Sequence, residues 1–466
     1  MTHTETINAI IAAGAPMTIE QIVQTELDAW IRSPRRGQMI EAQRYYETQN
    51  DILSQCRQMI GPGGQQVPAK NVADNHIAHG FVPELIDQKV QYLLGKPWSL
   101  DCDEAAAALL GPEFQRLVAR TARDAVSNGI GWLQVYIDDA GSFGVKRVDP
   151  VEVLPFWRDL EHEQLDAVIR CCPVEVYEGR QKRIVEKVEF WSLSGVTYFE
   201  RRDGLLRPDP ERTGGPMLEG EDGPYNWARL PFIALKYNDR EQPLLAKIKT
   251  LVDEYDRVVT GDSNMLEDQP NDILVLHNYD GTDLGQFRQN LNAFRAVKVS
   301  DNGGVESVTI RADVEASTKH LEQIRRDIYA FGRGVDTRNE RLTGATSGQA
   351  LRFEYAQLDM DCNQLELGVQ DAVNGVLWFA ADYLGRAPEE AGLTLNRDII
   401  INEEGAIAMC AQSKGVISDE TILANHPWVE DAKEELARLK KQQQDDLEWQ
   451  AEGFHGDETG GGTGGA

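Results

Sequence analysis

Residues able to do chemistry occur along this sequence, but none stands in a complete arrangement. Two acidic pairs, Asp253/Asp256 and Asp359/Asp361, are of the type that holds Mg²⁺ in a hydrolase or nuclease. In a chain with 76 Asp and Glu such pairs arise from composition alone, and both lie in long helical patterns whose charged sides are expected to face solvent. His76 and His79 stand one helical turn apart with Asp74 nearby, a geometry that suits a metal face, yet no second ligand cluster and no HExxH context accompanies them. An ordinary polar helix face is the expectation there. GATSGQA (Gly344 to Ala350) evokes a phosphate loop, but the Lys after its second Gly is missing and no strand precedes it; a loop ending in a helix cap is expected instead. Gly332-Arg333-Gly334 holds too few glycines for a dinucleotide fingerprint. The segment Glu403–Ala424 has helix-turn-helix spacing, but its second helix, Asp419 to Leu423, is acidic and unsuited to phosphate, so a packed helical hairpin is expected. The eight histidines are scattered, with no nucleophile–base arrangement among them. The reading is therefore of a protein that is not an enzyme, with no catalytic residue, metal site or cofactor.

Composition narrows the classes further. A hydrophobic content of 41% and a charged content of 26% are ordinary for a globular protein, and 466 residues can bury a large core as several sub-domains. The formal charge of −29 argues against tight, electrostatically driven binding of nucleic acid, since no surplus of cations replaces phosphate counterions, while it remains compatible with brief sliding contact. Cys56, Cys102, Cys171, Cys172, Cys362 and Cys410 form no CxxC pair, and the adjacent Cys171-Cys172 suits disulfides poorly, so reduced thiols in an intracellular compartment are expected. The N-terminus lacks a signal-peptide pattern and no apolar run approaches a membrane span.

The positioning elements are rods. Leu244, Leu245, Ile248, Leu251, Val252, Tyr255, Val258 and Val259 recur at three- and four-residue steps against a charged opposite side, predicting a helix roughly 40 Å long from Pro243 to Pro270. A compact insert follows, with a strand at Ile273–Leu276, a helix carrying Leu284, Phe287 and Leu291, and a hairpin of Ala296–Val299 with Val305–Ile310. A second rod has Asp313 as N-cap and Val314, Leu321, Ile324, Ile328 and Phe331 on one face. The polar loop Gly332–Thr346 leads to Ser347, an N-cap, and a helix reaching about Leu384. Upstream, Thr18 and Gln21 form a capping box, further helices are expected at about Gln38–Gln58, Asn75–Leu94 and Glu113–Ser127, and paired strands span Gly129–Trp157. More strands are expected at Ala167–Tyr177, Ile184–Ser192, Val196–Arg201 and Leu230–Asp239, with a weakly ordered loop or hairpin tip at Asp203–Trp227. Downstream come a strand at Leu395–Ile401, short helices at Glu403–Ser413 and Ser418–Ala424, a charged helix at Val429–Gln450, and a Gly-rich tail expected to be disordered.

This order of elements resembles the portal proteins of tailed bacteriophages, in particular the SPP1-type portal family. The stretches that carry the resemblance are PELIDQKVQYLLGKP (Pro83 to Pro97), GWLQVYIDDAG with VDPVEVLPFW, LPFIALKYND, LVDEYDRVVTGDSNMLED (Leu251 to Asp268) and SGQALRFEYAQLD (Ser347 to Asp359). The chain departs from relatives at Tyr237-Asn238-Asp239, where paired asparagines are usual, and at Gly344-Ala345-Thr346. The resemblance implies an α+β subunit of several parts: a mixed α/β wing over 1–240, a two-helix stem at 241–268 and 313–331, and a small α/β clip at 269–312. It further implies a channel loop at 332–347, a long kinked wing helix at 348–394, a helical crown at 395–452 and a disordered tail at 453–466. It implies a homo-oligomeric ring of twelve subunits at a capsid vertex, made in the bacterial cytoplasm and carried in the virion. Through that ring the terminase large subunit would drive double-stranded DNA without sequence preference. The other implied partners are the head–tail adaptor, scaffold and major capsid proteins, and no membrane. By the same resemblance Arg333, Arg338, Arg341, Thr343 and Thr346 belong to the channel loop, and Asn278, Tyr279, Asp280, Phe287 and Arg288 to the partner-binding face of the clip.

Charge along the chain fits that picture. Between Pro243 and Asp268 three cations face six anions, net −3, and Asp253, Glu254, Asp256 and Asp262 are the candidates to line an acidic bore that repels phosphate. The loop 332–347 sets Arg333, Arg338 and Arg341 against Asp336 and Glu340, net +1, enough for transient contact with a DNA backbone. An oligomeric head–tail adaptor or scaffold that is not a conduit would share the rods, and a metal-dependent hydrolase using the acidic pairs is the third reading.

Overall fold

The computed structural model describes residues 17–60, 64–69, 72–220, 223–268, 273–277, 302–308, 314–338, 348–388, 391–397 and 403–424, with 426, 428–429, 432 and 434–442. Helix α1 (Ile19–Ile31) opens on the expected capping box, Gln21 N–H donating to Thr18 Oγ1 at 3.3 Å and Thr18 N–H to Gln21 Oε1 at 3.1 Å. Helix α2 (Pro34–Tyr46) begins earlier than expected, because Ser33 caps it and Pro34 suits its first turn. It also ends earlier: Thr48 takes a left-handed φ of +60°, and a single 3₁₀ turn, Asp51–Ser54, follows in place of the helix expected up to Gln58. After β1 (Gln58–Ile60) and β2 (Gln66–Pro68) comes α3 (Phe81–Leu94), then β3 (Ser99–Asp101), α4 (Glu104–Leu110) and α5 (Phe114–Asn128).

Strands β4 (Ile130–Ile137), β5 (Phe143–Val148) and β6 (Val153–Trp157) lead into the long strands β7 (Leu165–Glu178) and β8 (Gln181–Ser192), then β9 (Gly195–Arg202) and β10 (Leu205–Pro208). The order β10-β9-β8-β7-β6 is an antiparallel meander, as sequential hairpins dictate. The region expected as a weakly ordered loop is instead built: Leu206 of β10 is buried, and β11 (Leu218–Gly220) pairs with β12 (Gly223–Tyr225). Strand β13 (Phe232–Lys236) returns to pair with β4, giving a second sheet, β13-β4-β5. The core lies between these sheets and α1–α2, where Val23, Leu27, Trp30 and Met39 meet Trp132, Phe156, Val168 and Phe199.

Helix α6 (Leu245–Asp268) is the first rod. It is followed by β14 (Ile273–His277), β15 (Gly304–Val308) and α7 (Val314–Gly332). β15 pairs antiparallel with β14, Ile273 opposite Val308; the partner expected for it, Ala296–Val299, lies outside the described residues. α7 runs back antiparallel along α6, with Ser317 donating to Asp262 and His320 lying 3.6 Å from Glu254. Helix α8 (Gly348–Tyr383) is a single element of 36 residues. It passes so close to β13 that a Cβ on Gly368 would lie 2.2 Å from the Lys236 carbonyl oxygen, so only glycine fits there. The strand expected at Leu395–Ile401 forms earlier, as β16 (Gly392–Thr394), because it pairs with β3; residues 398–402 are not described.

Two compact units result, Met1–Gly334 with Met360–Arg397, and Val335–Asp359 with Asp398–Ala466. In the second, α9 (Glu403–Gln412) and α10 (Asp419–Ala424) form the expected helical hairpin, Ser418 capping α10 and the Cys410 thiol meeting the Ile422 carbonyl at 3.8 Å. The architecture is α+β, as the sequence indicates.

Candidate functional site

Helix α6 carries Asp256, Thr260, Asn264 and Asp268 at four-residue steps, one polar row along the rod. Residues 73–79 lie antiparallel along that row. Their alternate backbone N–H groups, those of Ala73, Asn75, Ile77 and His79, donate to the side-chain oxygens of Asp268, Asn264, Thr260 and Asp256 at 3.0, 2.7, 3.1 and 3.0 Å. The match is one of pitch: four helical residues rise about 6 Å and two extended residues about 6.6 Å, so a strand can run in register with a helix face. This is why α3 begins at Phe81 and not at Asn75, since N–H groups held by α6 are unavailable to a helix. It also reassigns the two histidines. His79 Nδ1 lies 2.7 Å from Asp256, His76 bonds the Gln55 carbonyl at 2.5 Å, and the two share no ligand geometry. Among the described residues no group of three His, Cys, Asp or Glu converges.

The acidic row expected to face solvent is therefore largely occupied from within the subunit. Asp256 has no exposed surface and also accepts from Asn50 Nδ2, so it is removed from the candidates for a bore lining. Asp253 accepts from the Tyr45 hydroxyl and from Lys249 at 2.7 Å; Glu254 holds Arg257 at 2.6 Å; Asp262 holds Ser317. The solvated side assigned to Asp361 is likewise corrected, for that carboxylate is 3% exposed.

Asp361 belongs to a buried cluster that sequence inspection does not assemble. Helix α3 contributes Lys89, which is fully buried and sits four residues from both Leu85 and Leu93 on the apolar face, a lysine where the pattern calls for an aliphatic residue. Its Nζ lies 2.9 Å from Asp361 Oδ2 and donates to the Arg333 carbonyl at 2.8 Å. Tyr237 donates its hydroxyl to Asp361, and Lys247 stands 3.7 Å away. Burial alone would raise the Asp361 carboxyl; the Lys89 ammonium and the Tyr237 hydroxyl hold it below the usual carboxylate range. Burial pushes the Tyr237 hydroxyl well up, and the neighbouring Asp361 charge pushes it further.

Arg333 closes α7. Gly334 N–H donates to the Tyr329 carbonyl at 2.9 Å and Arg333 N–H to that of Ala330 at 3.3 Å, the two bonds of a Schellman motif. The left-handed position of that motif usually belongs to glycine, yet Arg333 fills it with φ +50°. The flanking glycines serve packing: a Cβ on Gly332 or Gly334 would fall 2.7 or 2.1 Å from a Leu85 methyl. The guanidinium of Arg333 reaches to 3.4 Å from Asp361.

A helix running out, a short antiparallel strand pair, a helix running back and a long third helix are thus in place. A sequence model of the phage portal protein family described as SPP1 Gp6-like matches residues 31–448. This chain belongs to that phage portal family. The portal protein of Bacillus phage SPP1 is 28% identical over 461 residues, covering 95% of this chain and 90% of that protein. The portal protein of Clostridium phage phiCD119 is 30% identical over 427 residues, covering 86% and 91%. Solved structures of related shape include the neck of a native gene transfer agent particle computed with C12 symmetry, at TM-score 0.40 and 11% identity over 74% of this chain and 88% of that one. The virion of a native gene transfer agent particle gives TM-score 0.39 and 11% identity over 83% and 99%.

Of the residues the portal resemblance nominates for the channel loop, Arg333 follows α7 and contacts Asp361, and Arg338 is exposed, its N–H donating to Asp336 at 3.1 Å. Arg341, Thr343 and Thr346 lie outside the described residues, as do the clip candidates Asn278, Tyr279, Asp280, Phe287 and Arg288.

Proposed function

We propose that this portal-family chain assembles into a ring of twelve copies that forms the DNA conduit at one vertex of a phage capsid, and that it has no catalytic activity of its own. The antiparallel α6–α7 pair with the β14–β15 pair between its ends carries the reading, because a narrow hydrophobic stripe on a long rod suits packing against neighbouring rods better than enclosing a pocket. In this assignment α6 and α7 are the stem, 269–312 the clip, 332–347 the channel loop, 1–240 with 348–394 the wing and 395–452 the crown. The clip would meet the terminase large subunit during packaging and the head–tail adaptor afterwards, with scaffold and major capsid proteins around the wing.

The electrostatics support passage without adhesion. A charge of −29 per copy leaves no surplus of cations to hold duplex DNA, and the loop's net +1 allows only weak, sequence-independent contact with phosphates. Because Asp256 is spent on the 73–79 strap, repulsion along the stem falls to the half-exposed Asp253, Glu254 and Asp262, each already paired. Imaging of the purified protein in negative stain, with mass by light scattering and with capsid partners added if the chain alone stays monomeric, tests the proposal. Rings with a central hole wide enough for a duplex are expected; a solid oligomer favours an adaptor or scaffold role.

A further inference from the structure

We propose that Lys89 and Asp361 are positioning residues for the root of the channel loop, holding Arg333, where the chain leaves α7, against the body of α8 through a single buried ammonium group. This rests on the reading of 332–347 as that loop. Arg333 stands where the chain leaves α7 and Asp361 lies within α8 (Gly348–Tyr383), and Lys89 Nζ holds both, the Arg333 carbonyl at 2.8 Å and the Asp361 carboxylate at 2.9 Å. The Arg333 guanidinium closes the triangle at 3.4 Å from Asp361.

Three observations say that the cluster fixes a position and does not merely fill space. A fully buried ion pair is a poor way to stabilise a core, where apolar side chains of the same volume commonly serve as well. What an apolar pair could not do is hold a backbone carbonyl and a guanidinium together. Arg333 holds the left-handed C′ position of the α7 cap, where glycine is usual, and it is the side chain at that position that reaches Asp361. Finally, the reference point is tied to the end of α7: α3 packs Leu85 against Gly332 and Gly334, and Glu84 accepts from the Tyr329 hydroxyl at 2.8 Å. The take-off of the loop is thereby set by α3 and not by the loop's own sequence. Twelve loops projecting into one bore would then start from equivalent roots.

The test is amide hydrogen exchange on assembled rings of Asp361→Asn and of the double variant Lys89→Met/Asp361→Leu, each paired with a DNA-packaging assay. The double variant removes both charges together and so leaves neither partner of the ion pair buried with an unpaired charge, while the reference amides report any general loss of stability. In both, exchange at the Arg333 and Gly334 amides is expected to rise about tenfold while those of Asn75, Ile77 and His79, held by α6, stay unchanged; packaging falls. Unchanged exchange at Arg333 and Gly334 in the variants that assemble overturns the proposal, as does equal acceleration at the reference amides. Should neither assemble, Arg333→Gly is read against Arg338→Ala, which removes the same loop charge away from the cluster: glycine keeps the helix cap without strain, so a packaging loss greater in Arg333→Gly than in Arg338→Ala supports the pinning, and equal packaging in the two overturns it. Faster exchange with undiminished packaging would overturn the channel-loop reading while leaving the pinning itself demonstrated.

Discussion

His79 meets Asp256 twice, through its ring Nδ1 at 2.7 Å and through its own backbone N–H at 3.0 Å. One carboxylate oxygen on the first rod thus fixes both the direction and the register of the strap that precedes α3, while the other oxygen accepts from Asn50. Removing it should be costly, because a buried side-chain amide and a backbone N–H lose their acceptor together. Asp256→Ala is expected to lower stability by about 3 kcal/mol, and Asp256→Asn by less, since one acceptor remains. Urea unfolding of the two variants measures the difference.

The rest of the strap should come off one rung at a time. Thr260→Val leaves the Ile77 N–H without its partner, and Asn264→Leu leaves that of Asn75. Each is expected to cost roughly 1–3 kcal/mol. Hydrogen exchange should rise at the affected rung first, with the Ala73 amide, held by Asp268, still protected.

Asp124 gives the fold a pH dependence. Burial pushes its carboxyl from 3.8 up to about 7, only partly opposed by Arg147 at 3.1 Å, and its Oδ2 is buried without a hydrogen bond. Between these two values the folded chain holds a proton that the unfolded chain has released, so stability falls as pH rises, by at most about 1.4 kcal/mol per pH unit. Asp124→Asn should remove that slope and be the more stable protein at pH 8. Denaturation curves at pH 5 and pH 8 for both proteins decide it.

Two glycines of the long rods should respond in opposite directions to alanine. Gly368→Ala drives a methyl to 2.2 Å from the Lys236 carbonyl oxygen, and α8 must move from β13, a loss of about 2–3 kcal/mol. Gly261 on α6 is exposed and meets nothing within 4 Å, so Gly261→Ala should gain about 0.5–1 kcal/mol of helix stability. Thermal melting orders the two variants on either side of the parent.

Replacing Arg338 and Arg341 together by Ala changes the loop from net +1 to net −1. Ring assembly should survive, because Arg338 is exposed, while the yield of packaged DNA falls several-fold as the transient phosphate contacts disappear. Equal yields in a packaging assay would remove the loop from the mechanism.

What the sequence determined by itself is local and one-dimensional. The capping box of Thr18 and Gln21, the amphipathic rods of α6 and α7, the strand alternation around Gly129–Trp157 and the hairpin of α9 and α10 all depend on neighbours a few residues apart. Their joint order was enough to resemble the portal family. Only the tertiary structure decided what the charged sides of those rods do. Periodicity marks a helix face as polar, but it cannot say whether water or another chain segment satisfies that face. For Asp256 the partners come from His79 and Asn50, 177 and 206 positions away. For Asp361 they come from Lys89, Tyr237 and Arg333, on separate elements that meet only when α3, α7, α8 and β13 are packed. A buried carboxylate and a solvated one look alike in sequence, because what distinguishes them is the distant donor that replaces water.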